Sequence, residues 1–120
     1  MLAPPQISPL LAHVQRSVER ERAAASARIC QLRATLPALL GRIGDERDVA
    51  KVWLIGSLAW GDGHVGSDID LVLDGLAPAK VDRLAFDLAG IAKAHVDVLR
   101  LEDLDPAFRT RVLRDGVRLL

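Results

Sequence analysis

Two strand-length apolar runs, Val52–Ile55 and Ile69–Leu73, are joined by a stretch that opens with Gly56-Ser57 and closes with Asp68-Ile69-Asp70. No other feature of the chain restricts its fold so much. In an extended segment alternate side chains point to opposite faces, so Asp68 and Asp70 share one face while Ile69 points into the core. Two carboxylates a few ångströms apart repel unless a cation sits between them, and hard oxygen donors of this kind suit Mg²⁺ or Mn²⁺. A third acid, Asp97, interrupts another apolar run, Val96 to Leu101, and so reads as an acid in an otherwise buried strand. If that run pairs beside the one bearing Asp70, the three carboxylates converge, as needed to hold divalent ions for an in-line phosphoryl displacement. At the other end of the stretch, Gly56 permits close backbone approach, and the Ser57 hydroxyl with N–H groups at a helix start can grip a phosphate. A Walker loop is excluded, because Gly61 is followed by Asp62 and not by Gly-Lys-Ser/Thr.

The rest of the chain alternates helix and strand signals. Ser8-Pro9 is a cap-and-first-turn pair, and apolar residues then recur at Leu10/Leu11, Val14, Val18, Ala25, Ile29, Leu32 and Leu36, near helical spacing. Pro37 is expected to kink this helix or to start a second, short one. A continuous helix from residue 8 to 36 would be about 40 Å long, more than the roughly 30 Å breadth of so small a domain, so part of it overhangs or folds back. Cys30 reads as a small buried hydrophobe on the helical seam. Pro78 precedes an amphipathic helix carrying Val81, Leu84, Leu88 and Ile91, and Asp105-Pro106 repeats the capping device before Phe108 and Val112. The pattern predicts an α/β (α+β) fold: a small mixed sheet with flanking helices and a long N-terminal helical extension. Residues 1–44 form the helical segment, a candidate docking element, and residues 45–120 the domain.

Charge and composition narrow the function. Sixteen basic and sixteen acidic residues cancel, but the segment from Val49 to Asp105 holds ten acids against five bases, and the chain after it holds four arginines against one acid. With two Trp, two Phe and no Tyr there are few rings for stacking bases, so no direct nucleic-acid partner is expected. A lone cysteine and the absence of any apolar run of membrane-spanning length predict a soluble, cytoplasmic protein with no membrane partner.

Gly56-Ser57, ten residues, then Asp68-x-Asp70, in a Ser67-Asp-x-Asp-Leu71 context, resembles the GS-x10-DxD signature of polymerase-β-like nucleotidyltransferases. The shortness of the chain is similar to the minimal nucleotidyltransferase (MNT) group. The resemblance spans about Val52 to Leu120, and Asp97 falls where that family carries its third acid. It implies transfer of a nucleoside monophosphate, AMP from ATP, to a hydroxyl, with Mg²⁺ held by Asp68, Asp70 and Asp97 and the nucleotide by Gly56, Ser57 and Ser67. Minimal members are commonly the antitoxins of HEPN-type RNase toxins, and some adenylylate a tyrosine of the toxin. The implied partner is therefore a cognate HEPN protein in a hetero-oligomer. The chain departs from the pattern where members often carry arginines: Leu58 and Trp60 stand there. Lys51, Lys93, Arg109, Arg111 or Arg114 would have to compensate, and nothing in the sequence selects among them. That departure favours the alternative, a non-catalytic antitoxin that neutralises its partner by occlusion, whereas retention of three acids favours the enzyme. Trp60 either lines the nucleotide pocket or covers the core. His64 reads as an incidental loop residue, and His95 as one without a metal-ligand partner at useful spacing.

Overall fold

The computed structural model describes residues 9–43, 49, 51–60 and 68–120, the Ser57 side chain excepted. Ser67 and His64 lie outside the described residues. The helix α1 runs unbroken over Pro9–Ile43. At ~1.5 Å per residue it is about 52 Å long and sets the long axis of a molecule measuring 66 × 31 × 19 Å. Pro37 lies inside it, and the second helix that this proline predicted does not form. The reason is packing: Leu32 and Leu36 before the proline, and Leu39 and Leu40 after it, are all fully buried. Their burial keeps the residues on both sides of the proline in one helix and offsets the backbone hydrogen bond that proline removes. Cys30 is exposed and not buried as expected. It sits one residue past Ile29, which is on the seam, and one residue turns a helix by about 100°.

Only the second half of α1 touches the domain. Ala25, Ile29 and Ile43 pack beside the four buried leucines, and Arg28 and Arg33 donate to the carbonyls of Ala92 and Arg118. The first half projects, leaving Leu10, Leu11, Val14 and Val18 exposed.

The domain is a four-stranded mixed sheet of β1 (Lys51–Ile55), β2 (Ile69–Asp74), β3 (Val96–Arg100) and β4 (Val117–Arg118), in the order β3-β2-β1-β4. A short helix, α2 (Ser57–Trp60), follows β1; α3 (Val81–Ala92) connects β2 to β3, and α4 (Pro106–Asp115) precedes β4. β2 and β3 are parallel, which requires the crossover that α3 supplies, while β1 is antiparallel to β2 and to β4. The Asp105 side chain accepts from Phe108 N–H at 2.8 Å, capping α4 as the Asp-Pro pair predicts.

The two sheet faces carry different loads. One is covered by α1 and α3, with Val52, Leu54, Ile69, Leu71, Leu73, Val96 and Val98 packed against Leu36, Leu84 and Leu88. On the other, Trp53, Ile55 and Val72 meet Val112 of α4, flanked by Trp60, Leu101, Leu104 and Phe108. Strand alternation then decides where the acids go. Asp70 lies between Ile69 and Leu71, and Asp97 between Val96 and Val98, so both project on the α4 face. Asp97 is exposed, as is Leu99 on the same face. The expectation of an otherwise buried strand is thus corrected: β3 is an edge strand covered on one face only.

Candidate active site

Three chain segments bring the acids together. In the parallel β2/β3 register Asp70 and Asp97 are direct partners, about 4.8 Å apart between strands. Asp70 also stands opposite Ile55 in the antiparallel β1/β2 register, which sets it beside the end of β1 and the next residue, Gly56. Asp68 immediately precedes β2 and is exposed. Asp70 is held above the ordinary carboxylate range, chiefly by its partial burial, then by the negative charges of Asp97 and Asp68 and a hydrogen bond to Asp97, with His95 opposing. Two like charges set this close form a site a cation can take over.

Gly56 explains itself in this geometry. Its φ is +78°, and a Cβ on it would overlap Asp70 Oδ2. Backbone and space both demand glycine, and the cleared space is filled by an acidic oxygen. Gly56 O then accepts from Ala59 and Trp60 N–H, at 3.2 and 3.0 Å, closing the first turn of α2. Ser57 is the first residue of that helix.

His95 enters the site, where its spacing from other metal-ligating residues predicted no role. Its Nε2 stands 3.0 Å from Asp97 Oδ1. The signal was present in the spacing, because residues two apart in a strand share a face. Trp60 turns toward the core: its Nε1 donates to Asp115 O at 2.9 Å and its ring packs in the cluster under α4.

Among the described residues no three His, Cys, Asp or Glu side chains stand in a ready-made ligating arrangement. Asp97 is drawn toward His95, and the nearness of Asp97 keeps the Asp70 carboxyl toward its protonated form. The donors nevertheless suit a hard divalent cation, being carboxylate oxygens whose mutual repulsion such an ion relieves. Asp68, Asp70 and Asp97 would hold Mg²⁺ or Mn²⁺ here, which would supply charge neutralisation at a phosphoryl group.

The fold has close counterparts among solved structures. One, described as a minimal nucleotidyltransferase, is 27% identical with a TM-score of 0.60, the match covering 81% of this chain and 94% of that one. A toxin–antitoxin structure with AMP-PNP is 24% identical with a TM-score of 0.62, over 73% and 72% of the two chains. A complex of a tri-AMPylated Shewanella oneidensis HEPN toxin with its MNT antitoxin is 20% identical with a TM-score of 0.58, over 77% and 71%. A search of curated proteins finds no significant match. Residues 41–120 match the family described as Polymerase beta, Nucleotidyltransferase. That span contains β1, α2, β2 and β3, and with them every acid of the site. The chain belongs to the polymerase beta nucleotidyltransferase family.

Proposed function

We propose that this protein is a Mg²⁺-dependent nucleotidyltransferase that moves AMP from ATP to a hydroxyl group on a HEPN-type partner protein, acting as that partner's antitoxin. The observation that carries the proposal is the register pairing of Asp70 with Asp97 on one sheet face, with the charge of Asp68 also bearing on Asp70, against a glycine whose missing side chain makes the room. Gly56, Ser57 and Ser67 hold the nucleotide, and the three acids hold the metal. The acceptor oxygen bonds to the α-phosphorus and the bond from that phosphorus to the β-phosphate oxygen breaks, releasing pyrophosphate. The hydroxyl proton passes to Asp97, the most exposed strand acid, which faces solvent and any incoming acceptor. Two structural relatives support the nucleotide and the acceptor class, since one belongs to a toxin–antitoxin structure with AMP-PNP and another to a complex of an AMPylated HEPN toxin with an MNT antitoxin.

The test is incubation with α-labelled ATP, Mg²⁺ and the HEPN protein encoded beside it. Label is expected on the partner, and Asp70→Asn and Asp97→Asn are expected to reduce transfer at least a hundredfold. A second reading is favoured by the projecting half of α1, where Leu10, Val14 and Val18 are exposed. In that reading the helix grips the partner and neutralises it by occlusion alone. Tight complex formation without label transfer, unaffected by Asp70→Asn, would select it.

A further inference from the structure

Four arginines crowd the end of the chain, and the structure separates one from the others. Arg109 donates to Glu102 O at 3.3 Å, Arg114 forks onto both oxygens of Asp115 at 3.0 and 2.9 Å, and Arg118 donates to Leu120 O. Arg111, among the described residues, has no oxygen partner at hydrogen-bond or ion-pair distance. Its guanidinium carbon instead lies 4.1 Å from the centroid of the Trp60 ring. That ring is fixed by the hydrogen bond to Asp115 O and by the apolar cluster beneath it. A guanidinium held over a ring without an oxygen partner keeps N–H groups available to phosphate oxygens, which it can meet two at a time.

The location points to which phosphates. α4 and Trp60 cover the same sheet face from which Asp70 and Asp97 project. The backbone N–H of Trp60 bonds Gly56 O, so the platform stands one helical turn, about 5.4 Å of rise, beyond the glycine that abuts Asp70. With the reacting phosphorus at the carboxylates, a cation over the ring at the end of that turn offers its charge to the remaining phosphates of the same nucleotide. We propose that Arg111, held over the Trp60 ring, binds the β- and γ-phosphates of the nucleoside triphosphate. This rests on the transferase reading above. It also gives Trp60 a purpose: the residue standing where similar proteins often carry arginine is a platform for an arginine delivered from another helix.

The test is calorimetric titration of the full-length protein with ATP and, separately, with AMP, in Mg²⁺, for wild type, Arg111→Gln and Arg111→Lys. Arg111 is exposed, so the variants should melt with the wild type. Arg111→Gln is expected to weaken ATP about tenfold or more while leaving AMP within about twofold. Arg111→Lys, which keeps the charge but loses the fork and the stack, should fall between them. ATP affinity unchanged in Arg111→Gln, or ATP and AMP weakened equally, overturns the assignment while the transferase reading stands. A wild-type chain that binds no ATP overturns both.

Discussion

At the scale of single residues, the site is held in tension by Asp70. Its pKa is raised in the folded protein, so its contribution to stability is present below the ordinary carboxylate range and is lost as pH rises through the raised value. Metal-free wild type therefore loses stability relative to Asp70→Asn between acid and neutral pH. Melting curves in a chelator should show Asp70→Asn the more stable at neutral pH, with the gap closing near pH 3–4; parallel profiles would contradict this. Gly56→Ala forces a Cβ into the left-handed region and onto the Asp70 carboxylate. It should lose about 1–3 kcal/mol in urea unfolding, and adding Asp70→Ala should restore part of that loss, because the two residues share one space. The two-residue spacing of Asp68 and Asp70 and the glycine before Ser57 made the acids and the turn legible in the sequence. The His95–Asp97 contact and the stacking of Arg111 on Trp60 were not read there. The first follows from strand alternation that was applied to acids only, and the second depends on where α4 docks, 51 positions along the chain.

At the scale of elements, α1 is one helix doing two things. Its second half belongs to the core, so Leu32→Ala or Leu36→Ala should cost about 2–5 kcal/mol. Val14→Ala, on the projecting half, should stay within about 0.5 kcal/mol in the isolated protein. Deleting residues 1–24 should leave a cooperative unfolding transition but abolish partner capture if that half is the docking element. Deleting residues 1–36 removes two fully buried leucines and should abolish the fold; a 1–36 deletion that melts like the full chain would refute this division. Helix and strand positions were readable from periodicity and from the Pro78 and Asp105-Pro106 signals. The unbroken passage through Pro37 was not, because local propensity argued for a break and the tertiary burial of Leu36, Leu39 and Leu40 overrode it.

At the scale of the whole molecule, the second sheet face and the helix that covers part of it carry opposite charges. Carboxylates lie at the β2 and β3 starts, and a guanidinium lies on α4, although the chain as a whole is neutral. The sequence exposed that asymmetry as an acidic middle and a basic end, but only the strand order β3-β2-β1-β4 puts the two on one face. Length alone left two outcomes, an overhang or a helix folded back at Pro37, and the unbroken run of α1 over Pro9–Ile43 decides for the overhang. The central claim is that Asp68, Asp70 and Asp97 share a divalent cation beside a bound triphosphate. Anomalous diffraction from crystals grown with Mn²⁺ and a non-hydrolysable ATP analogue tests it most directly: the account predicts a manganese peak bound by carboxylate oxygens of Asp70 and its two neighbours, with the nucleotide's phosphates at Gly56. A peak elsewhere, or a nucleotide seated away from that glycine with the three acids still paired to protein groups, would contradict it.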